Sequence, residues 1–292
     1  MRRYAIHAAD GHPVAATAFD HPQPRAVVVV AGATAVPQRF YERFAQALQA
    51  CGYEVHTLDY RGIGRSAPAS LRGYQVDYLD WARQDLAAVI RHTQRASLPL
   101  YLVGHSYGGH ALGLLPPDCR VDAMYAFGVG AGWHGWMPPA ERRKVWLMWN
   151  VVGPLLTPLY GYLPFKLLGM GEDLPLGVYR QWRRWCAYPN YFFGDPQTRH
   201  ALDGFARRAI PIAVANATDD LWAMPRSRDA FVAGYTSAQL ARIDLDPAAH
   251  GLRGIGHIGY FRENAAVLWP QVAAWFGQLQ GDVYASNAPL RT

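Results

Sequence analysis

Short apolar runs alternate with amphipathic segments along most of this chain. A run such as 26–31, Ala-Val-Val-Val-Val-Ala, predicts a buried strand, and apolar positions at helical spacing over 38–50 and 79–93 predict helices that cover it. The predicted strands lie at 26–31, 53–58, 98–103, 121–130 and 210–214. Strands that alternate with helices are typical of a mostly parallel sheet with helices on both faces, so we predict an α/β fold.

Two parts of the chain depart from this alternation. Residues 4–19 predict a leading hairpin that turns near Asp10-Gly11. Between 131 and 205 the periodicity breaks, and we predict a helical insertion there, with the core formed by 1–130 and 206–292. The insertion holds six of the ten tryptophans, which are Trp133, Trp136, Trp146, Trp149, Trp182 and Trp185. We expect most of its aromatic rings to pack the insertion onto the core.

A candidate nucleophile follows directly on the predicted strand at 98–103. Residues 104–108 read Gly-His-Ser-Tyr-Gly, which is the Gly-x-Ser-x-Gly pattern in the strand-turn-helix context that it needs. The turn strains the backbone of Ser106, and the flanking glycines let strand and helix approach closely because they carry no Cβ. Since five residues of this kind also occur by chance, the hypothesis depends on the partners of Ser106.

The candidate base is a histidine near the carboxyl end of the chain. Serine is a poor nucleophile at neutral pH, so a base must take its proton during attack. His257 lies in a glycine-rich segment, 252–260, before a final helix, and histidine titrates near neutrality. His250 lacks the glycine-rich setting and is the second choice. A tight turn would point His105 away from Ser106, so His105 is interpreted as structural.

The candidate acid follows the predicted strand at 210–214. Asp219 and Asp220 come shortly after it, and an acid at the carboxyl end of a late strand can orient a histidine and stabilise its charged form. The order serine, acid, histidine is the one this pattern requires. From loop position we prefer Asp220 and leave Asp219 open. Asp244 and Asp246 are assigned to a later strand.

The chemistry also needs N–H donors for the developing oxyanion. One is the backbone N–H of Tyr107, the residue after the candidate nucleophile. The other should come from the loop after the strand at 26–31, where Ala33 is the first choice and Thr34 the second.

With these residues the chain resembles a serine α/β-hydrolase. The matching motifs are Ala31-Gly32, the turn 59–66 (Asp-Tyr-Arg-Gly-Ile-Gly-Arg-Ser), 104–108, Asp219-Asp220 and the loop of His257. The runs at 36–41 and 255–262 are similar to a bacterial subgroup of predicted hydrolases. The resemblance implies an α/β-hydrolase fold in which residues 131–205 form a helical cap over Ser106. No cofactor or metal is expected.

Two positions depart from the family pattern. Ala31-Gly32 stands where many members have His-Gly, which leaves the backbone donor in place. Met224 stands where a proline often follows four residues after the acid, and Pro225 comes one position late, which is part of the reason that Asp219 stays open.

The resemblance implies that Ser106, His257 and Asp220 hydrolyse an ester through an acyl-enzyme. An aromatic cap would exclude water and favour a small apolar or aromatic carboxylic ester. An amide or thioester substrate, an acyltransferase, and a non-catalytic ligand-binding homologue remain alternatives. Dehalogenases and epoxide hydrolases of this fold use an aspartate at the position of Ser106, so neither of these activities is expected.

The composition indicates which kinds of partner to expect and in which compartment the protein is found. The net charge is +6, but Lys144 and Lys166 are the only lysines among 28 basic residues, and the arginines are spread out rather than concentrated in a stripe. We therefore do not expect nucleic-acid binding.

The three cysteines, Cys51, Cys119 and Cys186, are scattered and indicate a reducing compartment. Because the N-terminus lacks the apolar stretch of a signal peptide, a cytoplasmic protein is expected.

One stretch raises the question of membrane contact. Residues 145–165 carry no charge and are long enough to span a bilayer, but they contain Pro154, Pro158 and Pro164. Prolines disfavour one straight helix, so we predict broken cap helices. Basic residues flank the stretch, which keeps weak contact of the cap with a membrane surface as the alternative.

Overall fold

An eight-stranded sheet runs through the centre of the computed structural model, which describes residues 1–286. Its order is β1-β2-β4-β3-β5-β6-β9-β10. The first two strands form the predicted hairpin, and β2 pairs with β4 in antiparallel fashion, whereas all other pairs are parallel. A mostly parallel sheet was predicted, and this prediction is confirmed. The strands are β1 Arg2–His7, β2 Pro13–Phe19, β3 Val27–Ala31, β4 Glu54–Leu58, β5 Leu100–His105, β6 Ala123–Phe127, β9 Pro211–Ala217 and β10 Gln239–Leu245, with a separate antiparallel pair formed by β7 Tyr162–Leu163 and β8 Leu174–Pro175.

Ten α-helical segments accompany the strands, and two π-helical segments, Trp81–Leu86 and Met148–Val152, join some of them into longer helices. The α-helices are α1 Glu42–Ala50, α2 Tyr78–Asp80, α3 Ala87–Thr93, α4 Tyr107–His110, α5 Pro139–Leu147, α6 Gly153–Tyr160, α7 Leu176–Trp185, α8 Asp203–Arg207, α9 Pro225–Val232 and α10 Pro270–Ser286. The 3-10 turns are Gln38–Tyr41, Gly64–Ser66, Ala111–Leu114, His134–Trp136, Tyr191–Gly194, Arg199–Ala201, Ala248–His250, Gly259–Phe261 and Glu263–Leu268.

The central strands are buried on both faces. Every residue of β3 and β5 is buried, and the side chains of β3 alternate between two apolar clusters. Val27 and Val29 belong to the cluster on one face, and Val28 and Val30 belong to the cluster on the other. A strand that is covered on both sides reads as a continuous apolar run, which explains why residues 26–31 are so uniformly apolar.

Several aromatic rings of residues 131–205 pack against rings outside this segment. Trp185 stacks on Tyr78 with ring centroids 5.2 Å apart. Tyr191 and Phe192 pack against His110, which follows the predicted nucleophile. Of the six tryptophans in this segment, only Trp146 is exposed. The expectation that aromatic rings pack the segment onto the core is confirmed for Trp185, Tyr191 and Phe192.

The prediction of broken cap helices is confirmed only in part: residues 145–165 do not form one helix, because the helix ends before Pro164, but Pro154 and Pro158 do not interrupt it. Helix α5, the π-helical segment and α6 follow one another without interruption from 139 to 160. Pro154 lies in the first turn after the π-helical segment, whose wider turn accommodates a residue without an N–H. The helix ends only at Gly161, which adopts the left-handed conformation with φ of 79°. Within residues 1–286, no helix combines the length and the apolar character needed to cross a membrane.

Replacement of Gly108 by alanine should destabilise the fold. A Cβ at Gly108 would lie 1.9 Å from the backbone oxygen of Ala31 in β3, so α4 and β3 would have to move apart. We expect Gly108→Ala to lower the free energy of unfolding by about 3 kcal/mol. Urea denaturation at neutral pH measures this loss. The matched control is Gly277→Ala in α10, where the nearest atom lies 3.9 Å away, and it should be neutral or stabilising. Equal stability of the two variants would contradict the close contact.

Candidate active site

Ser106 lies in the turn between β5 and α4 with a backbone conformation that is rare for serine. Its φ is 51° and its ψ is −112°. Its N–H donates a hydrogen bond of 2.9 Å to the carbonyl oxygen of Phe127 in the neighbouring strand β6. A Cβ at Gly104 would lie 2.5 Å from Gly109, so both flanking glycines are needed for the strand and helix to pack. This geometry raises the Ser106 side chain above the carboxyl edge of the sheet.

The structure brings the three predicted residues Ser106, His257 and Asp220 into one hydrogen-bonded chain. Nε2 of His257 lies 2.9 Å from Oγ of Ser106. Nδ1 of the same ring lies 3.0 Å from each carboxylate oxygen of Asp220. The three residues come from loops that follow β5, β9 and β10, which all end at the same edge of the sheet.

Asp220 is fully buried, and its carboxylate is surrounded by donors. The backbone N–H groups of Trp222 and Ala223 donate to Oδ1 at 3.0 and 3.1 Å, and the hydroxyl of Tyr260 donates to Oδ2 at 2.8 Å. Burial by itself would raise the pKa of Asp220, but the charge of His257 and these hydrogen bonds outweigh it and hold the pKa below its ordinary value. The carboxylate is therefore ionised at neutral pH.

An ionised Asp220 determines which nitrogen of His257 carries the proton. A carboxylate only accepts hydrogen bonds, so Nδ1 of His257 must donate to it. In the neutral ring Nε2 is then unprotonated and can accept the hydrogen bond of the Ser106 hydroxyl. This is the arrangement in which a histidine can remove a proton from serine.

The alternative acid, Asp219, contacts the backbone of the histidine loop instead of the ring. Its carboxylate accepts hydrogen bonds of 2.8 Å from the N–H of Ile255 and 3.0 Å from that of Gly256. Asp219 thus anchors the segment that leads into His257. The alternative base, His250, lies in the turn Ala248–His250, and no hydrogen bond within the described part of the chain joins its ring to Ser106.

His105 takes part in a buried network that the sequence did not reveal. Its Nε2 lies 2.7 Å from the backbone oxygen of His257, and its Nδ1 lies 2.9 Å from the hydroxyl of Tyr41. Burial lowers the pKa of His105 to about 3, so the ring is neutral. A carbonyl oxygen can only accept, so Nε2 donates to it and Nδ1 accepts from Tyr41. His105 is therefore interpreted as a support for the loop of His257.

The same network engages the N–H that was predicted as the first oxyanion donor. The N–H of Ala33 donates a hydrogen bond of 2.8 Å to the hydroxyl of Tyr41, whose own proton is directed at His105. This N–H is thus committed to an acceptor in the interior of the protein. Tyr41 lies in the run at 36–41 that resembles the bacterial subgroup, but its hydrogen bonds to Ala33 and His105 depend on contacts that a local pattern does not show.

Two other backbone N–H groups near Ser106 have no acceptor among the described residues. One belongs to Thr34, which lines the same cleft as Ser106, and the other belongs to Tyr107, the first residue of α4. The first N–H groups of a helix have no partner within the helix. Tyr78 contacts both residues, because its hydroxyl bonds to that of Thr34 and its ring stacks on Tyr107 with centroids 4.1 Å apart.

A cleft of about 520 Å³ opens above Ser106 and His257. One wall is formed by the loop after β3, which includes Val36 and Phe40. Three side chains from residues 131–205 also line the cleft, which are Phe165, Met170 and Trp182. The walls are mostly apolar, although Arg39 and Arg262 lie at the cleft as well.

A second cleft, of about 870 Å³, lies elsewhere and contains none of the predicted site residues. It is lined mainly by polar and charged side chains such as Arg83, Arg180 and Gln181. Because the chemistry-bearing residues converge in the smaller cleft, that cleft is the candidate active site. No group of three or more histidine, cysteine or acidic side chains suited to a metal occurs within the described residues.

Comparisons with known proteins agree with this architecture. A family model described as serine aminopeptidase, S33, matches residues 22–151. An esterase from Exiguobacterium antarcticum is 19% identical over 94% of this chain and 99% of its own, with a TM-score of 0.59. Est1E from Butyrivibrio proteoclasticus, solved with ferulic acid, is 16% identical over 94% of this chain and 98% of its own, with a TM-score of 0.60. No curated protein matches the chain.

A thermophilic esterase from Thermogutta terrifontis is a further structural neighbour. It is 15% identical, covers 95% of this chain and 99% of its own, and has a TM-score of 0.58. At such low identities the likeness shows a shared fold.

The stability of the fold should depend on pH through His110. Burial lowers the pKa of His110 to about 3, and its Nε2 donates to the carbonyl oxygen of Gly130 at 2.9 Å. In the unfolded chain a histidine has a pKa near 6.5, so it becomes protonated at a higher pH than His110 does in the folded protein. The free energy of unfolding therefore decreases as the pH falls from about 6.5 toward 3. The loss amounts to about 1.4 kcal/mol per pH unit for this residue.

The variant His110→Gln keeps a donor for Gly130 and removes the titration. We expect its free energy of unfolding to fall less steeply with acidification, by about that slope, in urea titrations between pH 6 and about 4. An unchanged slope would mean that His110 is not held neutral in the folded protein.

Proposed function

We propose that this chain, which has the α/β-hydrolase fold, is a serine hydrolase that cleaves a carboxylic ester through an acyl-enzyme on Ser106. The observation that carries the proposal is the hydrogen-bonded chain from Ser106 through His257 to the buried carboxylate of Asp220. Acyl transfer at neutral pH requires a nucleophile, a base and an acid that are connected in this way.

The proposed reaction begins with attack of Oγ of Ser106 on the ester carbonyl carbon. His257 takes the serine proton at Nε2, and Asp220 stabilises the resulting imidazolium through Nδ1. When the tetrahedral intermediate collapses, the bond between carbon and the alcohol oxygen breaks, and Nε2 returns the proton to the departing alcohol. Water then attacks the acyl-serine, again losing a proton to Nε2, and the carboxylic acid leaves as Ser106 regains its hydrogen.

For the oxyanion we propose the N–H groups of Tyr107 and Thr34. Loop position in the sequence favours Ala33 over Thr34, but the N–H of Ala33 already donates to Tyr41. Thr34 and Tyr107 both contact Tyr78, which would hold the two donors at a set separation. Donors that are held in place before the reaction stabilise developing charge without reorganisation.

We further propose that residues 131–205 act as a cap that shapes the acyl or alcohol pocket. Phe165, Met170 and Trp182 line the same cleft as Val36 and Phe40 and make its lining mostly apolar. A cleft of about 520 Å³ has the size of a small-molecule site. The preferred substrate is therefore a small ester with an apolar or aromatic part.

The variant Ser106→Ala should abolish ester turnover. Without the nucleophile, we expect kcat/KM for a short p-nitrophenyl ester to fall by at least about 10⁴-fold, and labelling by a fluorophosphonate probe to disappear. The matched control is Ser237→Ala, an exposed serine that precedes β10 at the opposite edge of the sheet. Circular dichroism should be the same for both variants. Persistent turnover and labelling in Ser106→Ala would reject the proposal.

The adjacent aspartates give a second test, because they are matched in chemistry and differ in contacts. Asp220→Asn removes the charge that stabilises the protonated ring and should lower kcat by about 10³- to 10⁴-fold. Asp219→Asn can still accept from the loop backbone, so its kcat should fall by less than about tenfold. Steady-state rates of the two purified variants decide between them. A larger loss in Asp219→Asn would show that the acid has been assigned to the wrong residue.

A further inference from the structure

Exposed apolar side chains are concentrated on one part of this protein. Of the eleven large apolar residues that are exposed among those whose side chains are described, eight lie between 146 and 170. We call them the apolar face, and they are Trp146, Leu147, Val151, Leu155, Leu159, Tyr160, Leu167 and Met170. Leu155 and Leu159 are 64% and 69% exposed, so these side chains contribute little to the core.

The apolar face follows from the way the helix of residues 139–160 packs. Its inner side buries Val145, Trp149 and Thr157 against the rest of the protein. Its outer side carries no charged residue after Lys144, since the chain is uncharged from 145 to 165. A surface helix normally has charged residues on its solvent side, and a continuous apolar surface of this kind marks an interaction site.

The charges around the apolar face favour an anionic partner. Lys166 is paired with Glu172 at 2.8 Å and Lys144 with Glu141 at 3.3 Å, so these two lysines add little net charge. Arg142 and Arg143 are exposed and directly precede the uncharged stretch. Trp146 lines a shallow cleft together with the exposed Arg180 and Arg183. A second copy of this chain would place equally basic residues against these basic residues, and the two sets would repel each other. Anionic lipid headgroups would instead neutralise their charge.

The segment that carries the apolar face also lines the candidate active site. Met170 belongs to both, because it lines the cleft that contains Ser106. From the inner side of the helix, Trp149 packs on Trp182, another wall of that cleft, with ring centroids 4.8 Å apart. A partner that covers the apolar face would therefore lie at the mouth of the cleft.

We propose that the apolar face docks this protein on the surface of an anionic phospholipid bilayer. The exposed leucines and Trp146 insert at the boundary between headgroups and acyl chains, and Arg142 and Arg143 lie against the phosphates. The helix lies in the plane of the interface and does not cross the bilayer. This inference does not rest on the proposed catalytic function, because binding to lipid can be measured without turnover.

The test is sedimentation of the full chain with sucrose-loaded vesicles. We expect the wild-type protein to bind vesicles of phosphatidylcholine with phosphatidylglycerol, and to bind pure phosphatidylcholine at least tenfold more weakly. The double variant Leu155→Asp/Leu159→Asp should lose at least tenfold in binding to the anionic vesicles. The matched control is Val267→Asp, a residue that is 55% exposed outside the apolar face, and it should bind as the wild type does.

Two further measurements keep the result interpretable. Circular dichroism and the thermal midpoint should be the same for the double variant and the wild type, since both leucines are exposed. Light scattering reports whether the wild type is a dimer that the double variant dissociates. A dimer of that kind that fails to bind vesicles would show that a second copy covers the apolar face, and it would overturn the proposal. Absence of binding to anionic vesicles, or equal binding of the double variant, would also overturn it.

Discussion

The buried carboxylate of Asp220 is the group on which the geometry of the site depends. A charge removed from water is costly unless donors surround it, and Asp220 receives hydrogen bonds from Trp222, Ala223, Tyr260 and His257. These donors come from the loop of Asp220 itself and from the loop of the histidine. The need to satisfy one carboxylate therefore joins the two loops and orients the ring of His257 toward Ser106.

Around this centre, neighbouring groups hold the backbone rather than react. Asp219 holds the N–H groups that precede His257, and His105 donates to the backbone oxygen of His257 itself. Tyr41 connects His105 to the loop after β3 through the N–H of Ala33. The loop of the base and the loop that forms one wall of the cleft are thus joined by a continuous chain of hydrogen bonds through the interior.

Residues 131–205 contact the rest of the protein through stacked aromatic rings. Tyr78 lies between Tyr107 and Trp185, with centroid distances of 4.1 and 5.2 Å. Its hydroxyl contacts that of Thr34 in the loop after β3. The packing of residues 131–205 is consequently coupled to the position of backbone groups next to Ser106. The same residues include exposed apolar side chains, among them Leu155 and Leu159.

Features that depend on local pattern can be predicted from the amino-acid sequence alone. The apolar runs specified the parallel strands, because a strand covered on both faces must be apolar throughout. The glycines around Ser106 specified the tight turn, because a Cβ at Gly108 would collide with β3. Other features depend on contacts between distant segments and are visible only in the tertiary structure. These are the contact of Asp220, rather than Asp219, with the ring of His257, the hydrogen bond from the N–H of Ala33 to Tyr41, and the continuation of a helix past Pro154. A local sequence pattern cannot distinguish two adjacent residues such as Asp219 and Asp220. They differ only in the direction in which each side chain points in the folded protein.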